Sequence, residues 1–501
     1  MPIIKSDSRR HFYYLMLFAL IISFGFQGSR GLFESTEGRY AEVAREMVTS
    51  GDYLVPRLNY QPHWTKPPVA YWVFAAGIEL LGANDWGVRV GNALAFFFIV
   101  LIVVKLGEAM WDEKTGILAG IIYASSLFPV VAANNVSTDT ILSLWEILTV
   151  FSYWKAFRTE SQHISRRWML LLWFFSALAF LTKGPPALLS LLVVLIFHFY
   201  RKRRGQKTPS LAAGFGLPLF LVVGFSWYLI VIMKYPGLLD YFLGQEVAAR
   251  ILTKKFNRNP EWYAPLYVYG APFLLGAGAW GYLWPQVFGK LKPVKRFRDG
   301  FWERLRQNPP LLFLFFWIVF PTIILSLSQS RLPLYVLPFF PAVALLFGNL
   351  LRKKIAEKGN FRRVWAIALL SGTLLLAAKK GADHFPSHKN MKPLAKVCLA
   401  KAPPPAHFYL FDEEKLYGLQ FYLGDRLRRV TDEKNPPPGI LNLDRLLDRL
   451  KDEKSGVKVV FVLENKNLER LGAHLGRKNF PFRLEKGLER YQLLVLEKKT
   501  D

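Results

Sequence analysis

The chain has 501 residues, of which 52% are hydrophobic, 15% aromatic and 20% charged, with a formal net charge of +28. Soluble domains usually carry about 25% charged residues, so this balance favours a polytopic membrane protein. The basic excess falls in short loops between apolar runs, which argues for membrane topology and excludes nucleic acid as the expected partner. A single cysteine, Cys398, excludes an intramolecular disulfide and a cysteine-based zinc cluster.

A spanning helix needs about 20 apolar residues. In chain order, runs at 12–28, 88–106, 115–133, 140–157, 168–182, 185–200, 211–233, 264–285, 310–328, 333–351 and 364–378 reach or approach that length. They predict about eleven spans. The first follows Lys5, Arg9 and Arg10 and precedes no small-x-small cleavage pattern, so it reads as a retained helix rather than a signal peptide. Lysine and arginine concentrate in the connections 158–167, 201–207, 290–306 and 351–363, all on one side of the count. These are expected to face the cytoplasm, which puts the long segment 29–87 outside. From about residue 381 the hydropathy falls. VKVVFVLE (457–464) and RYQLLVLEKK (490–499) read as strands, and LDRLLDRLKD (443–452) has helical apolar spacing. The expected organisation is an all-α polytopic membrane domain over 1–380 and a small extracytoplasmic α/β domain over 381–501.

The first outer loop opens with LFESTEGRYAEVAR (32–45), dense in Glu34, Glu37, Arg39, Glu42 and Arg45. Ser35 or Thr36 can cap a helix whose apolar face is Tyr40, Val43, Ala44, Met47 and Val48, and Gly51 ends it. The helix is expected to lie on the membrane surface with Arg39, Glu42, Glu46 and Thr49 on its polar face. The bland alternative is a solvated loop with incidental charge. In HWTKPPVAYWVFAAGIELLG (63–82), Lys66 precedes Pro67 and Pro68 at the start of a helix, where free amides and the dipole suit a phosphate. A snorkelling lysine is the structural alternative. Arg250 in YFLGQEVAARIL, with Arg331 and Tyr335 in SQSRLPLYVLPFFP, also falls on the outer side. Three cations and a phenol at one depth can hold a lipid phosphate. Asp139, just ahead of the fourth span, is either a solvated cap or a second acid beside Glu37.

TEGRYAEVAREMVTSGDYLVPRLN, KPPVAYW, FLTKGPPALL and SRLPLYVLP together resemble the bacterial membrane glycosyltransferases related to protein O-mannosyltransferases, among them the aminoarabinose transferases that modify lipid A. The resemblance covers nearly all of the membrane portion and only loosely the C-terminal domain. It implies a C-type glycosyltransferase fold, surface helices in the first outer loop and an active site facing the periplasm of a bacterial inner membrane. It also implies a polyprenyl-phosphate sugar donor, undecaprenyl in bacteria, with a lipid A, protein or glycan acceptor and no cofactor. Residue by residue, Lys66, Arg250 and Tyr335 match positions that hold the lipid phosphate. Arg39 matches the arginine of the acidic first-loop motif, Asp139 the second-loop acid, and Lys183 the TKG lysine. The chain departs from the pattern at Thr36, where the family has the first acid of an Asp-Glu pair. Threonine cannot take a proton near neutral pH, so Glu37 or Asp139 is expected to serve. No metal site is expected, because Thr65 and Gln245 stand where a carboxylate and a histidine would be wanted and His63 is a lone loop histidine.

The implied reaction is direct displacement at the sugar C1 with inversion. Cations stabilise the leaving phosphate, and a carboxylate orients or deprotonates the acceptor. Rival readings are weaker. A secondary transporter predicts ionisable residues in mid-span and inverted repeats, whereas these spans read as nearly charge-free at their centres. An O-antigen ligase or polymerase would carry its large outer loop late in the chain. Thr36 leaves room for a non-catalytic protein.

Overall fold

The computed structural model describes residues 6–211, 215–248, 258–288, 302–303, 305–358, 361–385, 387–413, 415–452, 457–488 and 490–497. Helices run in chain order as α1 (Ser6–Phe24), α2 (Thr36–Ser50), α3 (Val69–Leu81), α4 (Gly87–Met110), α5 (Glu113–Ala124), α6 (Leu127–Ala133), α7 (Thr138–Arg158), α8 (Gln162–Lys183), α9 (Leu189–Arg203) and α10 (Gly216–Lys234). After several short turns come α11 (Pro309–Leu327), α12 (Phe340–Lys358), α13 (Phe361–Gly381), α14 (Met391–Lys401), α15 (Tyr417–Leu423), α16 (Leu443–Asp452) and α17 (Leu468–Arg477). The chain divides into two compact units. One holds Met1–Gln27, Trp64–Ala70 and Arg89–Lys379; the other holds Gly28–His63, Tyr71–Val88 and Lys380–Asp501.

The first unit is helical. Among the described residues seven segments are long and apolar enough to cross a membrane: α4, α8, Pro185–Arg203, α10, α11, Pro333–Lys353 and α13. Helices α5 and α6 meet the same condition together as a pair bent by 61°. Three of the expected runs fall outside this set. Helix α1 starts with a polar, basic turn, and α7 carries Asp139, Glu146, Lys155 and Arg158. The run 264–285 breaks into Ala264–Val268, Gly270–Leu275 and Gly278–Leu283, where Pro265, Pro272 and Gly278 (φ 60°) interrupt a regular helix. The starts of the regular helices follow from their caps. Asp112 accepts the Thr115 N–H, Ser137 that of Asp139, Ser161 that of Ile164, and Asn308 that of Leu311. Helix α7 packs along α8, and α8 along α10, and the same apolar core holds the fully buried Trp154, Trp280 and Trp317.

Glu146 is the exception to charge-free span centres. It lies inside α7 and is 1% exposed.

In the second unit a hairpin pairs β1 (Arg57–Leu58) with β2 (Gln61–Pro62). The remaining strands are β3 (Ala406–Phe411), β4 (Leu427–Thr431), β5 (Ile440–Asn442), β6 (Lys458–Glu464), β7 (Phe482–Lys486) and β8 (Tyr491–Leu496). They form one sheet in the order β5-β4-β3-β6-β8-β7. The β5-β4-β3-β6 part is parallel and β8 and β7 are antiparallel. Alternation along β3 sends Phe408 and Leu410 towards Leu394, Cys398 and Leu419, and Tyr409 and Phe411 towards Leu446, Leu447 and Leu471. The sheet is therefore covered by helices on both faces, as a parallel core requires. Both strands and the helix expected in this region are present.

Helix α2 also forms as expected and stops at Gly51, whose φ of 68° is left-handed. Its polar face is solvated only in part, with Thr49 exposed and the two glutamates enclosed. Glu42 and Glu46 are both 0% exposed, because α2 packs against α15 of the C-terminal domain. The backbone adds to this contact: Glu34 N–H donates to Lys389 O at 2.8 Å and Met391 N–H to Leu32 O at 3.1 Å.

Candidate active site

In the first unit, three of the expected residues converge. Asp139 stands in the first turn of α7. Lys183 is the last residue of α8, where Gly184 (φ 73°) and Pro185 turn the chain back. Its ammonium donates to Asp139 Oδ1 and lies 4.4 Å from the centre of the Tyr335 ring. Tyr335 is carried by the 3-10 turn Pro333–Phe339, which packs on α7. The side chains of Lys183 and Asp139 are about nine-tenths buried, at 10% and 9% exposure. A lysine ammonium is a compact charge on a flexible stem, and here it meets the Asp139 carboxylate and the Tyr335 π face. An arriving phosphate can draw such a cation towards itself.

Lys66 is half-buried and precedes Pro67 and Pro68, with α3 starting at Val69. Its neighbour Trp64 sets its ring 5.0 Å from Tyr235 and 6.2 Å from Trp227. Arg331 is buried and its donors go to backbone carbonyls. Nη1 reaches Asn259 O (2.8 Å) and Glu261 O (3.0 Å), while Nε and Nη2 reach Ser326 O (3.2 and 2.9 Å). In this arrangement Arg331 braces the 258–261 loop to the end of α11. Arg250 lies outside the described residues. Among the described residues no group of three or more His, Cys, Asp or Glu side chains is placed to hold a metal ion.

The second unit holds Glu37 and Arg39. Glu37 is 2% exposed in the first turn of α2. Arg30 grips it with both nitrogens, Nη1 to Oε2 at 2.5 Å and Nη2 to Oε1 at 2.9 Å, and the Phe33 N–H adds a third bond at 2.9 Å. Such a fork fixes the carboxylate plane. Arg30 escaped the sequence reading, because a lone arginine in the loop leaving a span looks like any interfacial anchor. Arg39 lies 5.4 Å from the Tyr40 ring, and its Nε–H is buried with no acceptor among the described residues.

Three further acids there carry raised protonation, Glu42 among them through its burial. Burial pushes Glu34 up to about 8, although its carboxylate accepts the Gly418 N–H. Burial, with the neighbouring Glu42 charge, pushes Glu46 up to about 8. Arg45 ties this group together. It donates twice to Glu42, at 2.8 and 2.9 Å, and once to Asp425 at 2.9 Å. Tyr60 donates its N–H to Glu46 at 2.8 Å and its hydroxyl to Asp425.

Residues 65–228 match the family described as dolichyl-phosphate-mannose-protein mannosyltransferase. That stretch includes Lys66, Asp139 and Lys183. Among solved structures, ArnT from Cupriavidus metallidurans bound to undecaprenyl phosphate aligns with a TM-score of 0.73 at 20% identity, over 97% of each chain. The fold is that of the C-type glycosyltransferases. An oligosaccharyltransferase from Archaeoglobus fulgidus aligns with a TM-score of 0.53 at 12% identity, over 96% of this chain and 74% of that one. In sequence, the chain resembles the undecaprenyl phosphate-alpha-4-amino-4-deoxy-L-arabinose arabinosyl transferases. Transferase 1 of Pseudomonas fluorescens is 29% identical over 67% of this chain and 60% of its own length. The Erwinia tasmaniensis protein is 27% identical over 74% of this chain and 66% of its own length. The chain thus spans less than two thirds of the length of these relatives.

Proposed function

We propose that the protein is a membrane glycosyltransferase that moves a sugar from a polyprenyl-phosphate donor to an acceptor at the outer face of a bacterial inner membrane. The observation that carries this reading is the Lys183 ammonium held between Asp139 and the Tyr335 ring. The likeness to arabinosyl transferases that use an undecaprenyl phosphate carrier supports undecaprenyl phosphate 4-amino-4-deoxy-L-arabinose as the first donor to try, with lipid A as the first acceptor.

The donor phosphate is an anion whose charge grows as its bond to C1 breaks. Lys183 moves from Asp139 to that phosphate and stabilises the developing charge, with Lys66, Arg250 and Tyr335 as further phosphate-side groups and Arg331 bracing the loop beside them. Loss of its lysine leaves Asp139 free to orient the acceptor oxygen or take its proton. The C1–phosphate bond breaks, the C1–acceptor bond forms with inversion, and the lipid phosphate leaves. Glu37 already accepts three hydrogen bonds, which suits a fixed negative charge better than a proton acceptor. Arg39, with its buried Nε–H, is assigned to an anionic group of a substrate. Residues 1–380 are proposed as the membrane transferase domain, with 381–501 as an extracytoplasmic domain.

The test is transfer of radiolabelled sugar from membrane lipid extracts by the purified protein, comparing wild type with Asp139→Asn and Glu37→Gln. The expected result is loss of transfer in Asp139→Asn and partial activity in Glu37→Gln. The reverse ranking would move the proton to Glu37, and no wild-type transfer from any bacterial lipid pool would overturn the function.

A further inference from the structure

Helix α9 has one face in the apolar core and one outside it. Val193, Val194 and Phe197 are fully buried in that core, whereas Leu192 is 38% and Phe199 50% exposed. On the outward face Leu192, Ile196 and Phe199 recur at helical spacing, followed by Tyr200, Arg203 and Arg204. These side chains line a groove of about 730 Å³. The Tyr200 ring packs edge-on against Phe316 of α11, with centres 5.8 Å apart, which fixes this wall of the groove to the bundle.

From Leu192 to Arg203 the helix rises about 16 Å. That is close to half of the roughly 30 Å hydrocarbon thickness, so the groove has the length of a single leaflet. Its apolar part gives way to Arg201, Lys202, Arg203 and Arg204 at the end of α9, in a connection expected to face the cytoplasm. Arg201 turns away from the groove, with its guanidinium 4.9 Å from the Phe157 ring centre and 5.7 Å from that of Phe197. Arg204 stays on it, 5.0 Å from the Tyr200 ring centre. Arg203 and Arg204 are exposed, and among the described residues neither forms an ion pair. An apolar trough one leaflet long, closed at headgroup depth by two cations without an acid, complements an anion that carries acyl chains.

We propose that this groove binds an anionic phospholipid of the inner leaflet, with one acyl chain along Leu192, Ile196 and Phe199 and the headgroup phosphate on Arg203 and Arg204. A guanidinium fork matches phosphate oxygens bidentately, and basic pockets at the cytoplasmic ends of membrane helices select anionic headgroups. A zwitterionic lipid offers the groove the same chain but adds an ammonium that the arginines repel. The site is separate from the one assigned to the donor phosphate. Lys183 lies just before α9 begins, and Arg203 ends that helix about 21 Å further along its axis. The inference rests on the expected membrane orientation and not on sugar transfer.

The experiment titrates the delipidated full chain in detergent with phosphatidylglycerol or phosphatidylcholine of the same acyl chains, and counts bound lipid by native mass spectrometry. Wild type should hold phosphatidylglycerol about tenfold or more tighter than phosphatidylcholine. Replacing both arginines, Arg203→Gln with Arg204→Gln, should cost about fivefold per residue and leave little preference. Arg203→Lys with Arg204→Lys, which keeps the charge, should retain most of it. Ile196→Trp fills the groove and should weaken both lipids several-fold. Equal affinity of wild type for the two lipids overturns the inference, since the groove then holds ordinary membrane lipid. A preference that survives loss of both arginines places the site elsewhere and overturns it too, and this arm decides alone where Ile196→Trp does not fold. A wild-type dimer that Ile196→Trp splits would give the groove to a second copy of the chain and overturn it equally.

Discussion

Glu37 and Asp139 both occupy the first turn of a helix and both are buried, yet their surroundings differ. In the second unit Glu37 is gripped by the planar fork of Arg30 and by a backbone N–H. In the first unit Asp139 meets the ammonium of Lys183, which also faces an aromatic ring. An acid that accepts three hydrogen bonds from a planar fork and a backbone N–H holds a shape. An acid that shares one flexible cation can exchange partners within a reaction cycle. The contrast separates groups that maintain the architecture from groups that change state.

That contrast can be broken most directly at Lys183. Lys183→Met is expected to lower label transfer about a hundredfold or more, as removal of a group that stabilises developing charge does. Retained transfer would mean that the exchange of partners plays no part. Next in size, Arg30→Ala should lower stability by about 3–5 kcal/mol, because Glu37 is left buried without its cation. Thermal unfolding in detergent reads this. A variant that keeps its stability but loses transfer would put Glu37 in the chemistry instead.

A pH series sharpens the comparison further. Glu34 and Glu46 rise from an ordinary 4.5 to about 8 in the folded chain. Between those values the unfolded state has released protons that the folded state keeps. Stability of the second unit should therefore be fullest below about 4.5 and fall as the pH rises towards 8. Glu34→Gln and Glu46→Gln should each flatten the slope, and an unchanged slope would show that burial does not hold these protons. The smallest effect is expected at Asp425, which is 58% exposed beside Arg45. Asp425→Asn should cost no more than about 1 kcal/mol.

Much of this was legible in the sequence where a local rule sufficed. Hydropathy located the seven spans and the bent pair, and the glycine rule gave the end of α2. The TKG lysine and the acid ahead of the fourth span were both singled out, but no local pattern could pair residues 44 positions apart. The burial of Glu42 and Glu46 was missed for a related reason. Amphipathic spacing assigns a polar face to water unless a partner is known, and here the partner lies in α15, hundreds of residues on. Glu146 was hidden differently, because a hydropathy window averages one acid into its apolar neighbours.

Gly38 on α2 and Gly418 on α15 touch backbone to backbone. A Cβ added to Gly38 would stand 2.3 Å from the Gly418 nitrogen, and one on Gly418 would stand 2.9 Å from Glu34 Oε1. Gly38 has no room for a methyl group against the Gly418 backbone, so the C-terminal domain is not a cassette that can be exchanged at residue 380. A chimaera that imports a foreign 381–501 segment must bring its own 28–63 loop with it. In a lineage of such proteins, those two stretches are expected to be inherited as one block.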